Sequence, residues 1–120
     1  MGKAFHAESG MPFAFDLDVM ASVLARMIED DRAAVLMTER GVIGGAVHPT
    51  FCDQDWKIAV ELFWWARGDG LVLLRAFERW AQQAGANEVR MTSLAALPRA
   101  DRLIRRVGYE PAEVSYSKVI

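Results

Sequence analysis

The sequence predicts an α+β domain, a mixed α/β sheet with helices on its faces, and three patterns carry that prediction. Apolar residues recur at helical spacing after Asp16, two short apolar runs flank a turn at Gly41, and a long two-sided apolar run enters a helix through a glycine turn at residues 67–70. Leu17, Met20, Val23, Leu24, Met27 and Ile28 form the stripe of an amphipathic helix, with Asp16 or Asp18 as its cap and Glu29-Asp30-Asp31 as its end. Ala33 to Thr38 reads as a buried strand, Glu39-Arg40-Gly41 as a turn, and Val42 to Val47 as the returning strand of a hairpin. Gly44-Gly45 inside that strand predicts a bulge or a close backbone approach.

His48 to Trp56 is a polar loop broken by Pro49, and Lys57 to Trp65 is a central strand. Ile58, Val60, Leu62 and Trp64 are expected on one face, and Ala59, Glu61, Phe63 and Trp65 on the other, which is why both faces read as covered. A helix follows from about Leu71 to Ala84, stopped by Gly85. Val89 to Leu94 is strand-like, Ala100, Leu103, Ile104 and Val107 mark a short helix closed by Gly108, and Val114 to Ile120 is expected to be a last strand. Residues 1–15 are expected to be irregular, and residues 1–120 are read as one domain.

Composition narrows the function classes. Residues 1–60 hold nine acids and five bases, whereas residues 61–120 hold seven acids and nine bases. The arginine-rich second half suits an anionic small ligand, and without a basic run no nucleic-acid partner is expected. Cys52 is the only cysteine, so neither an internal disulfide nor a cysteine metal cluster is available, and no metal site is expected. The absence of an apolar signal core or a membrane-length stretch points to the cytoplasm and to no membrane partner.

The chemistry concentrates in Phe63-Trp64-Trp65-Ala66-Arg67-Gly68-Asp69-Gly70-Leu71. A buried strand that turns through glycines into a helix presents free amides at the positive end of the helix dipole, a site for a phosphate. In this segment the chain resembles the GNAT (GCN5-related N-acetyltransferase) superfamily. The motif of that superfamily, Gln/Arg-x-x-Gly-x-Gly/Ala, joins its fourth strand to its third helix. Gly68 and Gly70 fall on the two small positions, and Trp65 stands at the Gln/Arg position. The run Leu73-Leu74-Arg75-Ala76-Phe77-Glu78-Arg79-Trp80-Ala81 is similar to phage-type and bacterial members. Ala100, Leu103, Arg106, Gly108 and Tyr109 follow the family's C-terminal pattern, with Leu97 in place of its Asn and Ile104 in place of its Tyr. The resemblance covers residues 16–120 and implies a GNAT-like sheet lacking the first strand.

The resemblance also implies an N-acetyltransferase that uses acetyl-CoA as cosubstrate and acts on an amine of a small molecule or protein. The backbone of Phe63, Trp64 and Trp65 would pair with the pantetheine arm, and the amides of Arg67, Gly68, Asp69, Gly70 and Leu71 would hold the pyrophosphate. Glu61, an acid on an apolar strand, is the candidate general base; the competing assignment pairs it with a structural arginine or with solvent at the sheet end. Tyr116 on the last strand is the candidate acid in place of Ile104, with core packing as its alternative. Asp69 either caps the helix, taking the amides a phosphate would use, or points outward with Arg67 and Arg75 offsetting its charge. The rival reading is a non-catalytic GNAT-fold binding or dimerisation module. An exposed sheet edge makes a homodimer the expected assembly.

Overall fold

In a computed structural model, which describes all 120 residues, the order is α1 (Gly2–Ser9), α2 (Leu17–Glu29), β1 (Ala33–Met37), β2 (Gly41–Pro49), β3 (Lys57–Ala66), α3 (Gly70–Gln83), β4 (Glu88–Arg90) and α4 (Pro98–Arg106). Asp16 is the cap of α2, its Oδ1 accepting from the Val19 amide at 3.0 Å. The four strands lie in sequence order in one sheet: β1–β2 and β2–β3 are antiparallel, and β3–β4 is parallel. A parallel neighbour requires a crossover, and α3 supplies it.

The core lies between the sheet and α3, where Leu73, Phe77 and Ala81 pack on Ile43, Val47 and Ala59. Gly45 is what lets Phe77 approach. A Cβ there would lie 2.3 Å from the Val60 carbonyl oxygen and 2.6 Å from the Phe77 ring. The β2–β3 register shifts between Gly44 and Gly45, leaving Leu62 as the extra residue of β3. This is the irregularity that the glycine pair predicts, and it corrects the expected alternation. A bulge reverses the parity of every later side chain, so Trp64 and Ala66 join Ala59 on the α3 core. Phe63 turns to the opposite face, over Gly44, beside α1 and α2.

Three further expectations are corrected. Residues 2–9 form a helix rather than an irregular segment; its pattern is weak, and tertiary contacts hold it, with Ser9 buried and Glu8 beside Trp65 and Arg67. Val114 to Ile120 form no strand and lie exposed. A strand needs a partner edge, and β4 offers only three residues before the chain leaves the sheet. The strand expected over Val89 to Leu94 is reduced to Glu88–Arg90, because its ladder with β3 ends there and the Thr92 amide donates to the Glu61 side chain instead. No helix is long and apolar enough to cross a membrane.

Candidate active site

The parting of β3 and β4 creates the site. β4 pairs with β3 only at Ile58↔Glu88, Ala59↔Val89 and Val60↔Arg90, while β3 runs on to Ala66. From Glu61 onward the β3 edge on that side therefore carries unpaired peptide groups. An extended chain with its own amides can add to such an edge as a strand. Glu61, Leu62, Trp64, Thr92, Leu94, Leu97 and Ala100 line a cavity of about 70 Å³ in this gap, closed on the α1 side by Phe5 and Met11.

Glu61 is 4% exposed. Its Oε2 accepts from the Thr92 amide at 3.0 Å and from the Thr92 hydroxyl, and no arginine pairs with it. Burial pushes its carboxyl above the ordinary value, with the two Thr92 hydrogen bonds working against that shift. Neither competing assignment is realised: Glu61 has no arginine partner and does not face solvent. Nothing local in the sequence marks Thr92, because only the parallel β3–β4 register brings it beside Glu61.

Trp64 lines the same cavity, and its indole N–H is buried without a partner. Trp65 lies elsewhere, its Nε1 donating to Glu8 at 3.2 Å. Leu97 lines the cavity and Ile104 is buried in α4, so neither position carries an ionisable group. Tyr116 does not come to the site: it is 90% exposed on the C-terminal segment. Tyr109 donates to Glu78 at 3.0 Å, which ties the end of α4 to α3. Burial and the adjacent Glu78 carboxylate push its phenol up.

At the β3–α3 junction the amides of Gly68, Asp69, Gly70, Leu71 and Val72 make no hydrogen bond within the chain; Arg67 alone in the turn donates, to the Arg40 carbonyl at 2.9 Å. Gly68 has φ 98°, a left-handed conformation that favours glycine, and bends the turn so that this row of amides opens at the helix start. Asp69 occupies the cap position without capping. Its carboxylate turns away from the amides to accept from the Thr38 hydroxyl, and its Oδ1 is buried without a partner. The donors a pyrophosphate needs are therefore free, with one carboxylate held close by.

The compensating charge differs from the one expected. Arg75 is engaged by Glu78 at 2.8 Å, and Arg67 lies over the Trp65 ring at 5.3 Å with Glu8 3.8 Å away. Arg40, in the β1–β2 turn, brings its guanidinium to 3.4 Å from where a Gly68 Cβ would stand, and no carboxylate pairs with it. In the sequence Arg40 is marked only as a turn residue. The pairing of Gly41 with Ala66 is what places it beside the Gly68 turn.

The fold agrees with solved structures over nearly the whole chain. Aminoglycoside acetyltransferase AAC(6')-Iy in complex with a CoA bisubstrate analogue superposes with a TM-score of 0.72 at 15% identity, covering 98% of this chain and 89% of that one. The fold is that of the GNAT acetyltransferases. A ribosomal-protein-alanine N-acetyltransferase of Brucella melitensis biovar Abortus 2308 gives 0.72 at 12% identity, covering 99% of this chain and 87% of that one. A transcriptional regulator of Bacillus halodurans C-125 gives 0.75 at 12%, covering 99% and 92%. No family model matches the sequence, and no curated protein matches it. In this fold β3 and β4 are the strands that part.

Proposed function

We propose that the protein transfers an acetyl group from acetyl-CoA to a primary amine of a small molecule or protein. The observation that carries this reading is the continuity of three features: free amides at the α3 start, an unpaired β3 edge from Glu61 onward, and a buried carboxylate between them. The amides of Gly68 to Leu71, with Arg40 alongside, hold the pyrophosphate. The peptide groups of Phe63 to Trp65 extend the sheet to the pantetheine arm. Glu61 takes a proton from the incoming ammonium, because only the neutral amine is nucleophilic. The nitrogen then bonds to the thioester carbon and the carbon–sulfur bond breaks. Of the two protons the nitrogen loses, one ends on the sulfur and one in solvent.

Calorimetric titration with acetyl-CoA and with CoA tests this reading. Micromolar binding, about 8 kcal/mol of free energy, is expected for the natural chain. Asp69→Asn removes a negative charge beside the phosphates and should tighten binding about tenfold, whereas Arg40→Gln should weaken it about tenfold. Absence of binding by all three proteins sinks the proposal. The buried Ile104, where the superfamily keeps a tyrosine, favours a second reading as a non-catalytic binding module. Tight CoA binding without transfer to any amine would select it.

A second copy of the chain is the partner we infer in either case. The β1 edge is unpaired, and Val114, Tyr116, Val119 and Ile120 stand exposed. Sedimentation at micromolar concentration should show a dimer, and a monomer throughout would overturn that assembly.

A further inference from the structure

An amphipathic helix ordinarily buries its apolar stripe, yet α2 has no buried residue. Its stripe borders a groove of about 330 Å³ between α1, α2 and β3, walled by Phe5, Met11, Phe15, Met20, Val23 and Phe63. Val23 remains 39% exposed and Val19 60%. Phe5 and Met11 line both this groove and the Glu61 cavity, so the two spaces meet at those side chains.

We infer that this groove receives the body of the acceptor, and that the acceptor is a primary amine on an aromatic or branched aliphatic body rather than a polyamine or an amino sugar. The inference rests on the acetyl-transfer reading and deepens it. The distribution of charge carries the choice. A polycation needs carboxylates along its length, and the groove has one, Asp16, whose Oδ1 already caps the Val19 amide. The other polar side chain of the lining, His6, is bonded through Nε2 to the Phe13 carbonyl. The remaining wall offers apolar surface alone, which favours removal of an apolar body from water and leaves a second ammonium without a partner. The single buried acid, Glu61, lies beyond Phe5 and Met11, where one amine at the tip of such a body would arrive.

Direct binding separates this inference from the transfer reading. With 2-phenylethylamine and spermidine titrated into the protein without acetyl-CoA, perturbation of amide resonances in α1 and α2 should saturate for the first amine only. Val23→Gln, on the partly exposed helix face, should weaken that binding about tenfold while CoA binding is unchanged. With acetyl-CoA present, transfer to 2-phenylethylamine should exceed transfer to spermidine by about tenfold or more in kcat/KM. Tighter binding of spermidine, no saturable binding of 2-phenylethylamine, or a Val23→Gln protein with natural affinity would overturn the assignment. Saturable groove binding in a protein that ignores acetyl-CoA would sustain the groove and remove the transferase.

Discussion

Glu61→Gln should lower kcat at neutral pH by about 100-fold, the scale of a lost general base. The carboxylate is held in a cavity wall, and burial raises its pKa towards the range where it can accept a proton and release it again. kcat/KM of the natural chain should therefore climb as pH rises through that raised value, and the variant should lose this limb. Stability should move in the opposite direction. A carboxyl whose folded pKa lies above its unfolded value of 4.5 stabilises the fold fully below that pH, and the contribution is lost as pH rises through the folded pKa. Glutamine has no such titration and keeps an oxygen for Thr92. The variant should be at least as stable as the natural chain in mildly alkaline buffer while being much less active. Kinetics and thermal melts over a pH series check both, and unchanged turnover would remove Glu61 from the mechanism.

Gly45→Ala should cost about 3 kcal/mol, at the upper end for overpacking, and lower Tm by about 12 °C for a chain of this size. The added methyl would meet the Val60 carbonyl oxygen at 2.3 Å, and that oxygen belongs to the adjacent strand and cannot rotate away. Relief would require β2 and β3 to part at the bulge or Phe77 to leave the core. Either movement disturbs the reversal that places Trp64 on the α3 side, so tryptophan fluorescence should change together with the melt. A Tm within a few degrees of the natural chain would show that the close approach is not required.

Much of the architecture was legible because it follows from local pattern. The helical stripe after Asp16, the hairpin turn at Gly41, the two-sided run of β3 and the glycines past α3 and α4 each state their own structure through periodicity or backbone freedom. Glu61 was legible as well, since an acid in an apolar strand is an anomaly at any register. The glycine turn after β3 marked where helix amides could stand free, but only the structure decided that Asp69 leaves them so, because its carboxylate bonds to Thr38.

What escaped were pairings between distant segments. Strict alternation assigned Phe63 and Trp64 to the wrong faces, since Leu62 becomes the extra residue only when β3 lies against Gly44 and Gly45. Thr92 meets Glu61 across 31 residues, and Arg40 meets the Gly68 turn through the β2–β3 pairing. Val114 to Ile120 has residues suited to a strand, but composition describes a surface that could pair and cannot supply the edge to pair with. The sequence by itself determined α2, the β1–β2 hairpin, β3, α3, α4 and the glycine turn into α3, because those depend on residues within a few positions of one another. Only the tertiary structure decided where β3 and β4 part, which groups face Glu61, and that α1 and α2 leave an apolar groove beside it. Those depend on register and on which backbone groups are left unpaired, and both are properties of the assembled sheet.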